Sequence, residues 1–278
     1  MAELRILAIG DIVAEAGVLT VKHLLPELKR SYAADIVIAN AENAHQGRGL
    51  NEVIVKNLYK AGVDILTGGD HSFDKHLIFP YMGHDRRLLR PANYPKGAPG
   101  FGFGVYALGG VEIGVLNLRG NAYFQNPIRC PFETADHLLK VIGERTRFIV
   151  VDFHAEASGE KRAMAHYMDG RAAVLYGTHT HVQTNDAHIT PAGMGYLTDL
   201  GFTGAHDSVI GMDAQVAIRR YLTGMPQKYE SAKLGHRLNG ALFTIDTDTA
   251  RCTDVELINT PSPDSEEALL NTPNDTEG

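Results

Sequence analysis

Short apolar segments that each end in a potential metal ligand recur along this chain. The last of them, residues 172–175, leads into Y-G-T-H-T-H-V-Q at residues 176–183, which presents His179 and His181 two positions apart. Alternate side chains of an extended segment point the same way, so both imidazoles can reach one point beyond the strand end. Imidazole is the commonest metal ligand among side chains. Taken alone, the sequence H-x-H is equally consistent with a metal-binding pair and with two polar histidines in a loop.

The same arrangement occurs at four earlier segments, each short enough for one buried strand. These segments are residues 4–9, 36–39, 63–67 and 148–152. The polar residues that follow them are Asp11, Glu42, Asn43, Asp70, His71 and His154. Singly, each has an ordinary explanation as a turn residue, an exposed loop end or a surface ion pair. Together they predict a site, because ligands bind at the carboxyl ends of strands in α/β sheets.

The spacing of apolar residues between these segments indicates the fold class. Residues 18–28 and 53–59 show helical spacing, which gives the order strand, helix, strand, helix, strand. This order predicts an α/β fold with parallel strands joined by crossovers. Further along, residues 105–108 and 111–118 are typical of a hairpin around two glycines. Helices are also predicted over residues 132–142 and 213–222.

No internal repeat or domain boundary is visible before the end of the chain. We therefore predict a single domain over residues 1–259. Residues 260–278 are acidic, rich in Pro, Ser and Thr, and poor in apolar side chains. This composition predicts a disordered acidic tail.

Composition excludes several classes of function. The net charge of −7 argues against binding of extended duplex nucleic acid, which needs a basic face. It is compatible with a small phosphorylated ligand if a metal supplies the positive charge. The two cysteines form no C-x-x-C motif, which argues against a disulfide framework or thiolate zinc site. No apolar run reaches the ~20 residues of a membrane helix, and the N-terminus enters a strand. These features predict a cytoplasmic, non-membrane protein, and they leave a homo-oligomer open.

The donor types at the strand ends indicate which metals would bind. Oxygen and nitrogen donors without thiolate suit Mn, Fe or Zn. The donors exceed what one ion takes, and two ions sharing a bridging carboxylate would use them all. Arg48, Arg119 and Lys161 could contact a phosphate, but we expect all three to be solvated surface charges.

Five segments carry a resemblance to a known family: G-D-I-V at Gly10, A-E-N-A at Ala41, G-D-H at Gly69, V-D-F-H-A-E at Val151 and G-T-H-T-H-V-Q-T at Gly177. Together they resemble the calcineurin-like metallophosphoesterases. The closer similarity is to the bacterial family described as 2′,3′-cyclic-nucleotide 2′-phosphodiesterases. The resemblance extends to about residue 257, and its last two motifs are the specific ones.

The resemblance implies a four-layer metallophosphoesterase-like sandwich, in which two mixed β-sheets pack together between outer helices. It also implies two divalent or trivalent metal ions, most often iron or manganese, with zinc as a further option. Carried over by position, Asp11, Asn43 and His181 would hold the first ion. Asp70, His154 and His179 would hold the second, and Glu42 would bridge both. His71 would be the proton donor to the leaving oxygen and not a ligand.

The chain departs from the family at two places. Asp70 stands where the family has Asn, and Ser158–Gly159 stand in a segment where the family tends to read T-S-E-K. The carboxylate of Asp70 adds a negative charge, which should tighten metal binding and weaken the stabilisation of a phosphoryl transition state.

The implied reaction is hydrolysis of a small phosphodiester, and for the closer family conversion of a 2′,3′-cyclic nucleotide to a 3′-nucleotide. A hydroxide bridging the two ions would attack phosphorus while His71 protonates the departing alkoxide. Two alternatives remain open from the sequence. One is a regulatory protein that binds metal and nucleotide without turnover, and the other is a metal-dependent hydrolase of a phosphomonoester or an amide.

Overall fold

The computed structural model describes residues 2–108 and 110–262 of the chain. The α-helices in these residues are α1 Ala14–Ser31, α2 Glu52–Ala61, α3 Phe79–Met82, α4 Pro131–Gly143, α5 Ser158–Met168 and α6 Ala214–Thr223. The strands are β1 Glu3–Ile9, β2 Asp11–Ile12, β3 Ile36–Asn40, β4 Ile65–Thr67, β5 Phe103–Leu108, β6 Val111–Arg119, β7 Phe148–His154, β8 Val174–Thr178, β9 His188–Ile189, β10 Gly195–Leu197, β11 Phe202–Ala205, β12 His236–Asp246 and β13 Cys252–Pro261.

Two mixed sheets form the centre of the fold. In the first, the order is β2-β11-β12-β1-β3-β4, and β13 pairs with β12. Strands β1, β3 and β4 are parallel neighbours, whereas β12 runs antiparallel to β1. In the second sheet the order is β5-β6-β7-β8-β10-β9, and strands β6, β7, β8 and β10 are parallel. The predicted hairpin of β5 and β6 is confirmed.

The alternation of side chains along β1 shows how the layers are assembled. Leu7 and Ile9 pack into the cluster that includes residues of α1 and α2. Ile6 and Ala8 point to the opposite face and pack against residues of the second sheet, such as Val150. A strand with both faces buried in this way lies in an inner layer.

The second sheet is likewise covered on its outer face. Residues of α4 and α5, including Leu139 and Met164, pack on Leu116 and Val151 of this sheet. The order of layers is therefore helix, sheet, sheet, helix, and the α/β class with two mixed sheets between helices is confirmed.

The helix ends follow local sequence signals. Asn51 precedes α2, and its side chain accepts a hydrogen bond from the backbone N–H of Ile54 at 2.8 Å. Gly62 ends the helix with φ of 112°, a left-handed conformation that favours glycine. Asp213 caps α6 in the same way as Asn51 caps α2. These signals explain why the helical spacing in the sequence predicts both helices correctly.

The C-terminal end of the described chain differs from expectation. Strand β13 extends to Pro261 and pairs with β12, so the first two residues of the predicted tail belong to a strand. Residues 263–278 of the predicted tail lie outside the described residues. Among the helices that the structure describes, none is both long and apolar enough to cross a membrane. Cys130 and Cys252 are both free thiols.

Candidate metal centre

Four side chains converge where the carboxyl ends of the central strands meet. Glu42, Asp70, His154 and His179 each offer a ligand atom, and these atoms all lie within 4.8 Å of one another. Nε2 of His154 is central, at 3.0 Å from Glu42 Oε1, 3.0 Å from Asp70 Oδ1 and 3.0 Å from His179 Nδ1. Glu42 and His154 are buried, whereas Asp70 and His179 are partly exposed. This cluster can hold a metal ion.

A second group of donors adjoins the first through Glu42. Asn43 Nδ2 lies 3.5 Å from Glu42 Oε1 and 3.2 Å from His181 Nε2. Asp11 Oδ1 lies 3.7 Å from the same His181 nitrogen and 3.9 Å from His154 Nδ1. Glu42 therefore lies between a group of Asp11, Asn43 and His181 and a group of Asp70, His154 and His179. All seven side chains from the sequence prediction are brought together.

The turn that carries the two histidines is not the extended segment that we expected. Strand β8 ends at Thr178, and His179 and His181 have φ angles of 99° and 60°. Left-handed backbone is strained for residues with a side chain, at about 1–3 kcal/mol each, and persists where surrounding contacts hold it. The two imidazoles reach the site because the chain turns sharply, and not because alternate side chains of a strand share a face.

A buried ion pair lies behind this turn. Thr180 donates hydrogen bonds to Asp199 Oδ2 from its backbone N–H at 3.1 Å and its hydroxyl at 2.8 Å. The same oxygen accepts from Lys161 Nζ at 2.6 Å, and both members of this pair are fully buried. The expectation that Lys161 is a solvated charge is therefore wrong.

The other two cations singled out from the sequence have different outcomes from each other. The guanidinium of Arg119 is buried and donates to the backbone carbonyls of Gly120 and Asn126, so it is not a solvated charge either. Arg48 is exposed as expected, with 66% of its side chain accessible, and it lies 3.5 Å from Asp74. Backbone carbonyls accept the hydrogen bonds of the Arg119 guanidinium, so it needs no phosphate partner. A count of charged residues in the sequence cannot reveal this arrangement.

The orientation of His154 is set by side chains below the site. Its Nδ1 lies 2.9 Å from Thr178 Oγ1, and that hydroxyl donates to Asp152 Oδ1 at 2.8 Å. Because the hydroxyl proton points to Asp152, the imidazole carries its own proton on Nδ1. Nε2 then faces the cluster, where a metal ion would take the place of its proton. Burial raises the pKa of Asp152 to about 7, although hydrogen bonds from Thr67 and Thr178 oppose the shift.

The field at the cluster favours cations. Burial opposes the charged form of His154, but the carboxylates of Glu42, Asp70 and Asp11 outweigh it and raise its pKa well above the usual value. For Asp70, burial works against ionisation, yet hydrogen bonds with His154 and His179 lower its pKa strongly. The lowered pKa of Asp70 favours a negative charge in the cluster, which a metal cation would neutralise.

One buried oxygen provides a direct test of whether the residues fit a metal. Asp11 Oδ1 is buried and has no hydrogen-bond partner in the part of the chain that the structure describes. A buried carboxylate oxygen left unpaired costs free energy, and a bound cation would remove this cost. Oxygen and nitrogen donors of this kind suit Mn, Fe or Zn. The donor set therefore fits a metal centre.

The turn after β4 places His71 at the edge of the cluster. Its backbone N–H donates to Glu42 Oε2 at 2.9 Å, and its ring Nδ1 lies 3.1 Å from Asp74 Oδ2. Its Nε2 is 3.6 Å from Asp70 Oδ2, and about a fifth of the side chain is exposed. A Cβ on Gly69 would lie 2.2 Å from the ring of His154, so only glycine fits before Asp70. The ring of His71 is thus beside the cluster and partly open to solvent.

Several of these supporting residues are absent from the sequence prediction. Asp74 could have been found, because its position three residues after His71 is a spacing typical of side chains that meet across one turn. Thr178 and Asp199 could not, because their roles depend on contacts between distant parts of the chain. Glu156, beside His154 in sequence, contacts His179 at 3.0 Å instead.

Comparisons with known proteins agree with the geometry. The chain is 42% identical over 255 residues to the 2′,3′-cyclic-nucleotide 2′-phosphodiesterase of Bacillus subtilis (strain 168), an alignment that covers 92% of this chain and 96% of the relative. A solved structure of a hypothetical protein from Thermus thermophilus is 37% identical, with a TM-score of 0.87, and covers 94% of this chain and 100% of that chain. The structure of a novel phosphatase from Mycoplasma pneumoniae is 32% identical, with a TM-score of 0.89, and covers 98% of both chains.

The resemblance drawn from the five sequence motifs is confirmed by the first of these relatives. In addition, the family model described as YmdB-like protein matches residues 7–258, which is nearly all of the described chain. The chain therefore belongs to the YmdB-like protein family.

Proposed function

We propose that this chain is a metal-dependent phosphodiesterase that hydrolyses 2′,3′-cyclic nucleotides to 3′-nucleotides. The observation that carries the proposal is the position of Glu42 between two groups of donors. The name of the Bacillus subtilis relative supports the choice of substrate. A small anionic substrate also suits a chain with a net charge of −7 once metal ions offset the local carboxylates.

In this proposal the seven donors hold two ions, with iron or manganese as the first expectation. One ion would be held by Asp11, Asn43 and His181, the other by Asp70, His154 and His179, with Glu42 shared. Ions at these positions would neutralise charge on the phosphoryl oxygens and make water acidic enough to act as a nucleophile at neutral pH.

His71 has the position and partners of a proton donor. With Nδ1 directed at Asp74, Nε2 faces the cluster and is the nitrogen from which a proton would be donated. The carboxylates of Asp74 and Asp70 lie on either side of the ring, 3.1 Å from Nδ1 and 3.6 Å from Nε2. A ribose 2′-oxygen is a poor leaving group unless it is protonated, so a donor at this place would contribute ~10²–10⁴-fold to the rate.

The protein's own backbone also fixes the geometry of the reaction. The N–H of His71 is bonded to Glu42, and the N–H of His179 is bonded to Asp11 at 3.1 Å. Each turn that carries a proposed functional histidine is therefore tied to a carboxylate of another strand. Such ties hold the proton donor and the ligands at fixed positions before substrate arrives.

The experiment is to purify the protein without chelator, measure its metals, and assay 2′,3′-cyclic AMP with phosphorus NMR. We expect up to two ions per chain and adenosine 3′-phosphate as the product. A 3′,5′-cyclic nucleotide and nitrophenyl phosphate serve as comparison substrates. A 2′-phosphate product would contradict the bond that we propose is cleaved. Stoichiometric metal without turnover of any ester would indicate a binding protein.

A further inference from the structure

The imidazole of His179 is held from both of its nitrogens. Nδ1 faces the cluster, at 3.0 Å from His154 Nε2 and 3.3 Å from Asp70 Oδ1. Nε2 faces away from it and lies 3.0 Å from Oε2 of Glu156. Glu156 is not part of the donor cluster, and half of its side chain is exposed.

We propose that Glu156 is a positioning residue that fixes the tautomer of His179 and strengthens its bond to a metal ion. This inference rests on the proposed function in taking His179 as a ligand of one of two metal ions, and not on the reaction that we propose. A carboxylate that accepts the proton on Nε2 leaves the lone pair on Nδ1, the nitrogen that faces the cluster. It also makes the imidazole a stronger donor, as carboxylate partners of metal-binding histidines generally do.

The other two histidines of the site follow the same pattern with neutral partners. The far nitrogen of His154 meets the hydroxyl of Thr178 at 2.9 Å, and that of His181 meets the carbonyl oxygen of Ile210 at 2.9 Å. Each ring thus has one nitrogen toward the cluster and the other on an acceptor. Only Glu156 brings a full negative charge to this role, so His179 should be the most strongly donating imidazole of the three.

The rest of the surroundings allow Glu156 to be replaced without disturbing the fold. The ring of His179 packs against Phe124, with ring centroids 5.0 Å apart, and its backbone N–H is bonded to Asp11. These contacts remain when Glu156 is removed, so the ring stays near its place but can turn. Phe124 itself rests on the guanidinium of Arg119 at 4.5 Å. Exposure of Glu156 means that its loss leaves no buried cavity.

The test measures zinc binding by competition with a chromophoric chelator, for the wild type and for Glu156→Ala, Glu156→Gln and Glu156→Asp. We expect Glu156→Ala to lower the affinity for one of the two ions by ~10–100-fold, with the other ion unaffected. Gln keeps an acceptor without the charge and should fall between. Asp keeps the charge but is one methylene shorter, so it should resemble Ala.

Two controls make the result specific. Glu133→Gln removes an exposed carboxylate on α4 and should leave both affinities unchanged. Thermal unfolding of the zinc-free variants should match that of the wild type, because Glu156 is half exposed. Unchanged zinc affinity in Glu156→Ala would overturn the proposal. Wild-type affinity in Glu156→Asp, together with a loss in Glu156→Ala, would show that the negative charge suffices and that Glu156 does not orient the ring by direct contact.

A second measurement reports on the tautomer itself. In zinc-loaded protein with ¹⁵N-labelled histidine, the wild type should show His179 with a proton on Nε2 that exchanges slowly. Glu156→Ala should shift this signal and speed its exchange, whereas the signals of His154 and His181 should not move. An unshifted His179 signal would overturn the proposal. Neither measurement uses a nucleotide, so their outcome is separate from the failure or success of cyclic-nucleotide hydrolysis.

Discussion

Oε2 of Glu42 accepts a hydrogen bond from the backbone N–H of His71 at 2.9 Å. The other oxygen of the same carboxylate lies 3.0 Å from His154 Nε2. One side chain therefore joins the donor cluster to the turn that carries the proposed proton donor. A change at Glu42 should disturb metal binding and the placement of His71 together.

We predict that Glu42→Ala loses both metal and activity, because the variant lacks the donor that lies between the two groups of ligands. Elemental analysis after gel filtration should show less than one ion per chain, and hydrolysis of the cyclic nucleotide should fall to background. Glu52→Ala, an exposed change on α2 beside Lys56, is the control and should keep both properties. Retention of two tightly bound ions by Glu42→Ala would show that another residue bridges them.

The pair of Lys161 and Asp199 predicts a large effect on stability. Both side chains are fully buried, so Lys161→Met leaves the carboxylate of Asp199 without its counter-charge. Breaking a buried pair in this way typically costs about 3–5 kcal/mol of unfolding free energy. Urea unfolding of the metal-free protein would measure it.

The matched control for this pair is Lys56→Met, which breaks the exposed pair with Glu52. Exposed pairs contribute about 0–1 kcal/mol, so the two variants should differ clearly. The double variant Lys161→Met with Asp199→Asn removes both charges and should recover part of the stability. A loss in Lys161→Met no larger than in the control would mean that the pair does not stabilise the turn at Thr180.

The general location of the site could be predicted from the sequence because strand ends are easy to place. Parallel strands β1, β3 and β4 end side by side, and the residues after them must be neighbours. The meeting of two sheets could not be derived from the alternation of strands and helices. The packing of the two sheets depends on strands such as β1, whose two faces are buried against different layers. This packing was predicted only through the family resemblance.

The supporting contacts were beyond prediction for physical reasons. Lys161 was expected at the surface because an unpaired charge is costly to bury, and its partner Asp199 lies 38 positions away. Glu156 lies two positions from His154 in the sequence, where the ordinary alternative to a ligand role was a surface ion pair between the two. The left-handed backbone of His179 instead turns that ring toward Glu156. Sequence spacing gives no sign of this turn, because positive φ is uncommon for residues other than glycine.

Asp70 tests how far the family pattern applies to this chain. Its Oδ1 contacts His154 and His179, while Oδ2 lies 3.6 Å from His71. Asp70→Asn keeps an oxygen ligand of the same reach and removes one negative charge. We predict that the variant keeps both metal ions and has equal or higher turnover, measured by elemental analysis and initial rates. Loss of one ion would mean that this chain needs the carboxylate.

His71 should matter in proportion to the basicity of the leaving oxygen. We predict that His71→Ala keeps its metals and loses ~10²–10⁴-fold on a 2′,3′-cyclic nucleotide. The loss on bis-nitrophenyl phosphate should be much smaller, because nitrophenolate leaves without a proton. Parallel initial rates on the two substrates give the comparison. Equal losses on both would remove the role of proton donor.

Asp74 should influence the same step through His71. Its carboxylate lies 3.1 Å from the ring Nδ1, and it also lies 3.5 Å from the exposed Arg48. Asp74→Asn keeps an acceptor for the ring but weakens this charge-assisted hydrogen bond, so we predict a smaller loss than in His71→Ala with the same dependence on the leaving group. Arg48→Gln separates the two contacts and should leave both rates close to the wild type. If Asp74→Asn slows both substrates equally, Asp74 acts on the fold of the turn and not on proton donation.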